Sequence, residues 1–354
     1  MRERMLAVVR GKPHDRVPFC QYSGLSGPDE EIWAELGRDN MGIMGWCSLH
    51  RLVHSRCSIE TEWTQQDGRI VRRTVIKTPE GTLYQNRVRA AVAYATRKHF
   101  VQTPQDYRIL LCYLRDLRVE AAPEEWLEIY KRYGDDGLPH TTIPQTPYQQ
   151  LWIEWVSLER LSIDMHDEVP ILDEVFAELF RVQQLVFEVV CELAGELPIP
   201  YIIFPDNITA PAIGRARFER FCVSSYKELA RMLTAAGHDI PIGVHMDGDL
   251  RALKDEIADA PIRLIDSFTP WPDSNVTVAE ALSWWPDVTL LLNFPSSVHL
   301  AEPERIYQAA THILRQAEGS GRLQIQISED PPPGAWKKSF PPIMRAIREF
   351  GPVP

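Results

Sequence analysis

Two sets of residues in this chain carry side chains suited to chemistry. The first is Cys47-x2-His50-x3-His54-x2-Cys57, a run of thiol and imidazole groups of the kind that hold zinc. On a helix these positions share one face. One straight helix would nevertheless spread residues 47 to 57 over about 15 Å at 1.5 Å per residue, too far for a single ion. A structural role is therefore expected for this set. The second set is scattered, and each member ends or follows an apolar run: Asp206-Asn207 after 201–204, His245-Met246-Asp247 at the end of 240–245, Ser267 within 262–268, Asn293 closing 288–293, and Ser328-Glu329-Asp330 after 323–327. Imidazole and carboxylate groups hold protons and hard ions, so what these residues can do depends on the elements that gather them.

The five apolar runs alternate with helical patterns around 216–236, 250–258, 278–285 and 303–317. Short buried strands separated by helices specify a parallel sheet. A barrel fits better than an open sheet because every strand is followed at once by polar or small residues, and barrel active sites gather at strand C-termini. Upstream, 1–16 reads as a short helix stopped by Gly11-Lys12-Pro13, followed by a buried strand at Arg16-Val17-Pro18-Phe19-Cys20. From 59 to 89 the pattern becomes alternating β-formers with turns at Gln66-Asp67-Gly68 and Thr78-Pro79-Glu80-Gly81, a meander of three antiparallel strands. Helices are expected at 104–117, 123–133 and 171–197, the last ended by Pro198 and Pro200. The expected fold is α/β, a single (β/α)8 barrel domain over 1–354 with an N-terminal antiparallel excursion at 58–100.

Composition narrows the function. The 354 residues are 44% hydrophobic and 25% charged, an ordinary globular mixture. With 38 Lys and Arg against 49 Asp and Glu the net charge is -11, which removes the broad attraction that nucleic-acid and anionic-membrane binders use. A small-molecule or protein partner is expected. No apolar run approaches the roughly 18 residues that span a bilayer, and no signal-peptide pattern opens the chain, so the expectation is a cytoplasmic protein, as a monomer or a homodimer. Six cysteines without a CxxC pair are expected to be reduced thiols, and none lies beyond Cys222. The absence of G-x-G-x-x-G, Walker A and G-x-S-x-G motifs disfavours dinucleotide and NTP chemistry.

At this point several segments resemble the uroporphyrinogen decarboxylase superfamily. Arg2-Glu3-Arg4-Met5-Leu6 through Asp15-Arg16-Val17-Pro18 is similar to its N-terminal helix and first strand. Thr78-Pro79-Glu80-Gly81 resembles the "TP-x-G" turn of the methyltransferase-like branch, and His245-Met246-Asp247-Gly248 its "H-x-C-G" or "H-x-D-G" segment. Ser328-Glu329-Asp330-Pro331 falls where the last strand delivers an active-site residue. The resemblance implies a (β/α)8 barrel that is either a decarboxylase or a zinc-dependent methyltransferase feeding a corrinoid protein. The decarboxylase holds its polycarboxylate with arginines of an "R-Q-A-G-R" segment and uses an "F-S-D" aspartate. Here the corresponding stretch is Phe19-Cys20-Gln21-Tyr22-Ser23-Gly24-Leu25-Ser26-Gly27, without either arginine, and no F-S-D occurs. A site without guanidinium forks holds polycarboxylates poorly.

The methyltransferase branch binds zinc through a His, a Cys two residues on, and a second Cys near the last strand. This chain keeps His245, has Asp247 in the place of the first Cys, and has no cysteine near Glu329. What the resemblance then implies is an oxygen-rich zinc site of His245, Asp247 and Glu329, suited to polarising an oxygen rather than a thiol. The expected reaction is methyl transfer from a small methoxy donor to a reduced corrinoid on a partner protein, with the metal or Glu329 stabilising the departing alkoxide. Phe268, Trp271 and Phe294 are the expected stacking surfaces, and Asp206, Asn207 and Asn293 the further polar contacts. The bland readings are specific too: Asp247 as an Asx turn or N-cap before Leu250, Glu329 as a rim carboxylate, Asp206 as an arginine's partner, and Trp152, Trp155, Trp284 and Trp285 as packing. The rival functions are a carboxy-lyase on a smaller carboxylate and a barrel that binds without catalysing.

Overall fold

In the computed structural model, which describes residues 1–66, 68–89, 94–329 and 331–353, eight parallel strands close into a barrel. Numbered along the chain they are β1 (Phe19–Tyr22), β2 (Gly42–Ser48), β3 (Gly137–Thr142), β4 (Ile202–Phe204), β5 (Ile242–His245), β6 (Leu264–Phe268), β7 (Thr289–Asn293) and β8 (Leu323–Ile327). Each pairs with its neighbours in sequence, and β8 closes on β1 through Phe19 opposite Ile325 and Gln21 opposite Ile327. Asp67 of the first excursion turn and Asp330 of the last polar segment lie outside the described residues.

Most of these strands read as apolar runs because both faces are covered, one by the barrel interior and one by helices. β4 is Ile-Ile-Phe and β7 Thr-Leu-Leu-Leu-Asn, buried throughout. β8 is different: Gln324 and Gln326 alternate with Leu323, Ile325 and Ile327, and the Gln324 amide donates to Gln326 Oε1 at 3.2 Å. The two glutamines thus form a polar line inside the barrel wall. The helix Arg2–Val9 packs Met5, Val8 and Val9 into the same core as Cys20, Met44, Leu138, Ile203, Leu264 and Leu291. The helix Val278–Trp284 starts at a full capping box, Thr277 accepting from the Glu280 N–H while the Glu280 carboxylate accepts from the Thr277 N–H.

The chain divides into two compact units, Met1–Leu49 with Ala122–Ile143 and Leu193–Pro354, and His50–Ala121 with Pro144–Glu192. The first holds all eight barrel strands. The second holds a four-stranded antiparallel sheet, Ser58–Gln66, Arg69–Thr78, Gly81–Arg89 and Tyr94–Lys98, and a two-stranded ladder of His50–Val53 with Arg118–Ala121. The excursion therefore has one strand more than the expected three. Asp116 pins the loop before the sheet, its carboxylate accepting from the backbone N–H groups of Ser55, Arg56 and Cys57. Those hydrogen bonds outweigh desolvation and hold it well below the usual carboxylate range.

The Cys47, His50, His54, Cys57 set is not helical. Cys47 lies in β2 of the first unit, while His50 starts a strand of the second and His54 and Cys57 follow it. Burial pushes the Cys47 thiol up to about 12 and Cys57 to about 11, the behaviour of inert structural thiols. Trp155 packs on Phe100 and Tyr113, and Trp284 on Trp285, as the packing reading expects.

β2 and β3 carry glycines where the wall is tightest. A Cβ on Gly137 would strike the Ile43 carbonyl oxygen, and one on Gly45 the Tyr133 hydroxyl. The backbone neighbour at Gly137 cannot swing aside as a side chain can. Gly137→Ala is expected to destabilise the protein by about 1–3 kcal/mol through overpacking, read as a lowered urea midpoint; an unchanged midpoint would show that β2 and β3 are less closely apposed than described.

Candidate functional site

The first unit's strand C-termini converge on one carboxylate, Asp266. It sits in the middle of the apolar β6 sequence Leu-Ile-Asp-Ser-Phe and has no exposed surface. A charge so placed requires several hydrogen-bonded partners. Asp266 Oδ2 accepts from the Tyr22 hydroxyl of β1 at 2.9 Å and from His245 Nδ1 of β5 at 3.0 Å, while Oδ1 accepts from the Gln326 amide of β8 at 2.9 Å. His140 of β3 brings Nε2 to 3.4 Å from Oδ2, within ion-pair range but without hydrogen-bond alignment. Its Nδ1 is 3.2 Å from the Tyr201 hydroxyl. Five of the eight strands thereby contribute to a single centre.

The local backbone is built for this. Pairing of β6 with β7 slips between Asp266 and Phe268, and Ser267 adopts a positive φ of 57°. A non-glycine residue in the left-handed region costs of order 1–3 kcal/mol and persists only where its surroundings fix it. The slip re-aims the strand at the position that delivers the carboxylate.

His245 closes β5 with its side chain only 14% exposed. A carboxylate only accepts, so Nδ1 carries the hydrogen that bonds Asp266, and Nε2 is the atom left facing Asp247, whose Oδ2 is 3.8 Å away. Burial pushes the imidazolium pKa down. Asp247 and Asp266, one on each nitrogen, outweigh burial and raise it to about 10. Burial likewise pushes Asp266 up, but His140 and His245 prevail and hold it well below the usual carboxylate range. The Tyr22 and Tyr201 phenols are pushed well above their ordinary value, chiefly by burial. The site at neutral pH is thus an imidazolium between two carboxylates, its Nδ1–H on Asp266 and its Nε2–H toward Asp247. Trp46 forms a wall beside it, 38% exposed, with its ring 6.2 Å from His245, 4.7 Å from His140 and 5.1 Å from Tyr22.

The residues singled out in the sequence fall into three groups. His245 and Asp247 are together. Asp206, Asn293, Phe268 and Phe294 are buried and tied to the scaffold: Asp206 accepts from the Tyr226 hydroxyl at 2.7 Å, Asn293 accepts from the Ser328 N–H at 3.1 Å, Phe268 packs on Trp285, and Phe294 on His299. Asn207 is half-buried in the loop after β4. Phe268 and Phe294 are therefore core residues, and the aromatic surface beside His245 is Trp46, for which the sequence carried no local sign. Trp271 is 64% exposed in the loop after β6. Glu329 is exposed and takes a hydrogen bond from Ser296 Oγ at 2.5 Å.

The zinc set of His245, Asp247 and Glu329 is not assembled. Among the described residues no three His, Cys, Asp or Glu side chains come together as a metal cage. His245 Nδ1 is committed to Asp266 and Glu329 to Ser296. Neither Asp247 nor Asp266 has an arginine or lysine partner among the described residues; their counter-charge is imidazole.

One consequence concerns stability. His245 titrates near 6.5 when unfolded and at about 10 when folded. Between those values the folded state holds a proton that the unfolded state has released. Its contribution is complete below about pH 6.5 and is lost as pH rises through 10. Denaturation midpoints should fall across that interval in wild-type protein, and His245→Gln should flatten the fall; an identical slope in both would show that the imidazolium is not held by the carboxylates.

Residues 188–325 match the family model for uroporphyrinogen decarboxylase (URO-D). No curated protein matches the chain. The matched stretch contains β4 to β7 and the start of β8, hence both His245 and Asp266, and in it the chain is similar to a family of barrel enzymes.

Proposed function

We propose that this chain is an enzyme of the decarboxylase and methyltransferase type that moves a methyl group from a small methoxy donor to a corrinoid carried by a partner protein, with the proton on His245 in the role otherwise given to a metal. The observation that carries this reading is the His245 imidazole clamped between Asp266 and Asp247 at the end of β5. A reduced corrinoid supplies the nucleophile. The chain's own part is to orient the donor and to receive charge on the departing oxygen.

As the O–CH3 bond breaks and the methyl group passes to the corrinoid, negative charge grows on oxygen, and the Nε2–H of His245, on the side of Asp247, gives its proton there, releasing a neutral alcohol or phenol. Asp266 holds the ring in one tautomer and one orientation, as the carboxylate of a catalytic triad does. Tyr22 and Gln326 fix Asp266 in turn. The half-exposed indole of Trp46 offers a flat apolar surface on which an aromatic donor or a corrin edge can lie. Among the described residues the carboxylates of the centre are balanced by imidazole and not by arginine or lysine. This scheme needs no metal: of the three expected zinc ligands His245 and Asp247 stand together, while Glu329 takes its hydrogen bond from Ser296.

The test uses free cob(I)alamin as acceptor and a panel of methoxybenzenes, followed by the loss of Co(I) absorbance. Transfer by wild-type protein is expected, and His245→Ala should lower the rate by about 10²–10⁴-fold, the usual worth of a positioned general acid. Activity should hold through neutral pH and fall as His245 deprotonates toward pH 10. Asp266→Asn should move that alkaline limb downward. Treatment with a zinc chelator should leave the rate unchanged; loss of activity restored by zinc would overturn the proton mechanism. Release of carbon dioxide from a small carboxylate, without methyl transfer, would establish the carboxy-lyase instead, and the absence of either reaction would leave a binding barrel.

A further inference from the structure

In the second unit, the strand Ser58–Gln66 forms one edge of the four-stranded sheet. Its inner side pairs with Arg69–Thr78 in unbroken register from Ser58 opposite Lys77 to Gln66 opposite Arg69. Every residue from Ile59 to Gln66 is exposed, on both faces of the strand. Ile59 and Trp63 are among the most exposed large apolar residues, at 43% and 57%. No described residue hydrogen-bonds to the outer backbone groups of this edge.

Proteins ordinarily protect such an edge with charged side chains, lysine above all, or with proline, a bulge or a covering segment; here the charges are Glu60, neutralised by Lys77 at 2.6 Å, and Glu62. This strand, Ser-Ile-Glu-Thr-Glu-Trp-Thr-Gln-Gln, has no lysine, arginine or proline and no bulge. The opposite edge, Tyr94–Lys98, contrasts with it: the register slips between Asn86 and Arg87, and Arg97 and Lys98 stand on the strand. Among the described residues the regular, unbulged edge is Ser58–Gln66.

We infer that the Ser58–Gln66 edge pairs antiparallel with the same strand of a second copy of this chain, joining two four-stranded sheets into one. The sequence is self-complementary in a single long register. A two-fold axis normal to the sheet must set residues of equal parity opposite each other, because alternate side chains lie on opposite faces. Centred on Glu62 it sets that carboxylate against itself, and centred on Thr61 it sets Glu60 against Glu62; like charges directly opposite destabilise a ladder. Centred on Trp63 it sets Glu62 opposite Thr64, Thr61 opposite Gln65 and Glu60 opposite Gln66, with no charge opposed to its like and the two indoles adjacent across the axis. Ladder hydrogen bonds then satisfy the outer groups, and Trp63, already 6.0 Å from Tyr94, gains a second aromatic neighbour.

The test is the mass in solution over a concentration series by light scattering, with hydrogen exchange on the same samples. Wild-type protein should reach twice the 40.6 kDa chain mass, and the amides of 58–66 should become slower to exchange as concentration rises. Trp63→Lys puts two cations face to face across the axis and should return the chain mass, while Leu300→Lys, an exposed apolar position of the first unit, should leave the dimer intact. Should Trp63→Lys fail to fold, exchange in wild-type protein still decides. A wild-type protein that stays at the chain mass, a dimer untouched by Trp63→Lys in folded protein, or 58–66 amides whose exchange ignores concentration would each overturn the inference.

Discussion

A carboxylate at the centre of an apolar strand is the constraint from which the barrel's chemistry follows. Removing a charge from water carries a penalty of several kcal/mol even after the protein relaxes, and Asp266 has no surface through which to recover hydration. Its neighbours must supply what water would. Tyr22, His245 and Gln326 donate to its two oxygens and His140 stands within ion-pair range, so β1, β3, β5 and β8 are tied to β6 near their C-terminal ends. Among these donors only an imidazole can add a full positive charge. The protonated state of His245 is therefore part of how the barrel tolerates Asp266, and in the proposed reaction the same imidazolium charge is drawn on.

This coupling also explains why the backbone is strained where it is. Ser267 holds a left-handed conformation beside a slipped register. A regular strand would carry its side chains in strict alternation, and a shift of one residue exchanges the inner and outer faces. The slip lets Asp266 and Phe268 be set by different neighbours, the first by the polar centre and the second by Trp285. Phe268 could not be separated from a mouth residue in the sequence because its environment is decided by that slip.

Legibility followed the range of the interaction. The strands β4 to β7 show in the sequence as short hydrophobic runs bounded by punctuation, and β8 through the alternation of Leu323, Ile325 and Ile327. β2 and β3 do not show: Gly42, Gly45, Gly137, Pro139, His140 and Thr141 give no apolar run, since these positions are chosen for close approach and for the polar centre rather than for burial of large side chains. At the site, His245 and Asp247 are visible because they end a run. Asp266 was hidden inside one, although a lone acid within Leu-Ile-Asp-Ser-Phe is itself a signal that something must neutralise it. Tyr22, His140 and Gln326 reach the centre from 244, 126 and 60 positions away along the chain, and no local pattern can announce a partner that only barrel closure brings near.

The same hydrogen-bond accounting bears on the choice between a proton and a metal. Asp266 already accepts three hydrogen bonds on its two oxygens, and those bonds set its orientation. His245 has Nε2 to offer and Asp247 stands beside it, and among the described residues no third His, Cys, Asp or Glu joins them as a metal site. A proton needs no more than that. It occupies one nitrogen, leaves the Tyr22, His245 and Gln326 donors on Asp266 undisturbed, and in the proposed reaction supplies the acid.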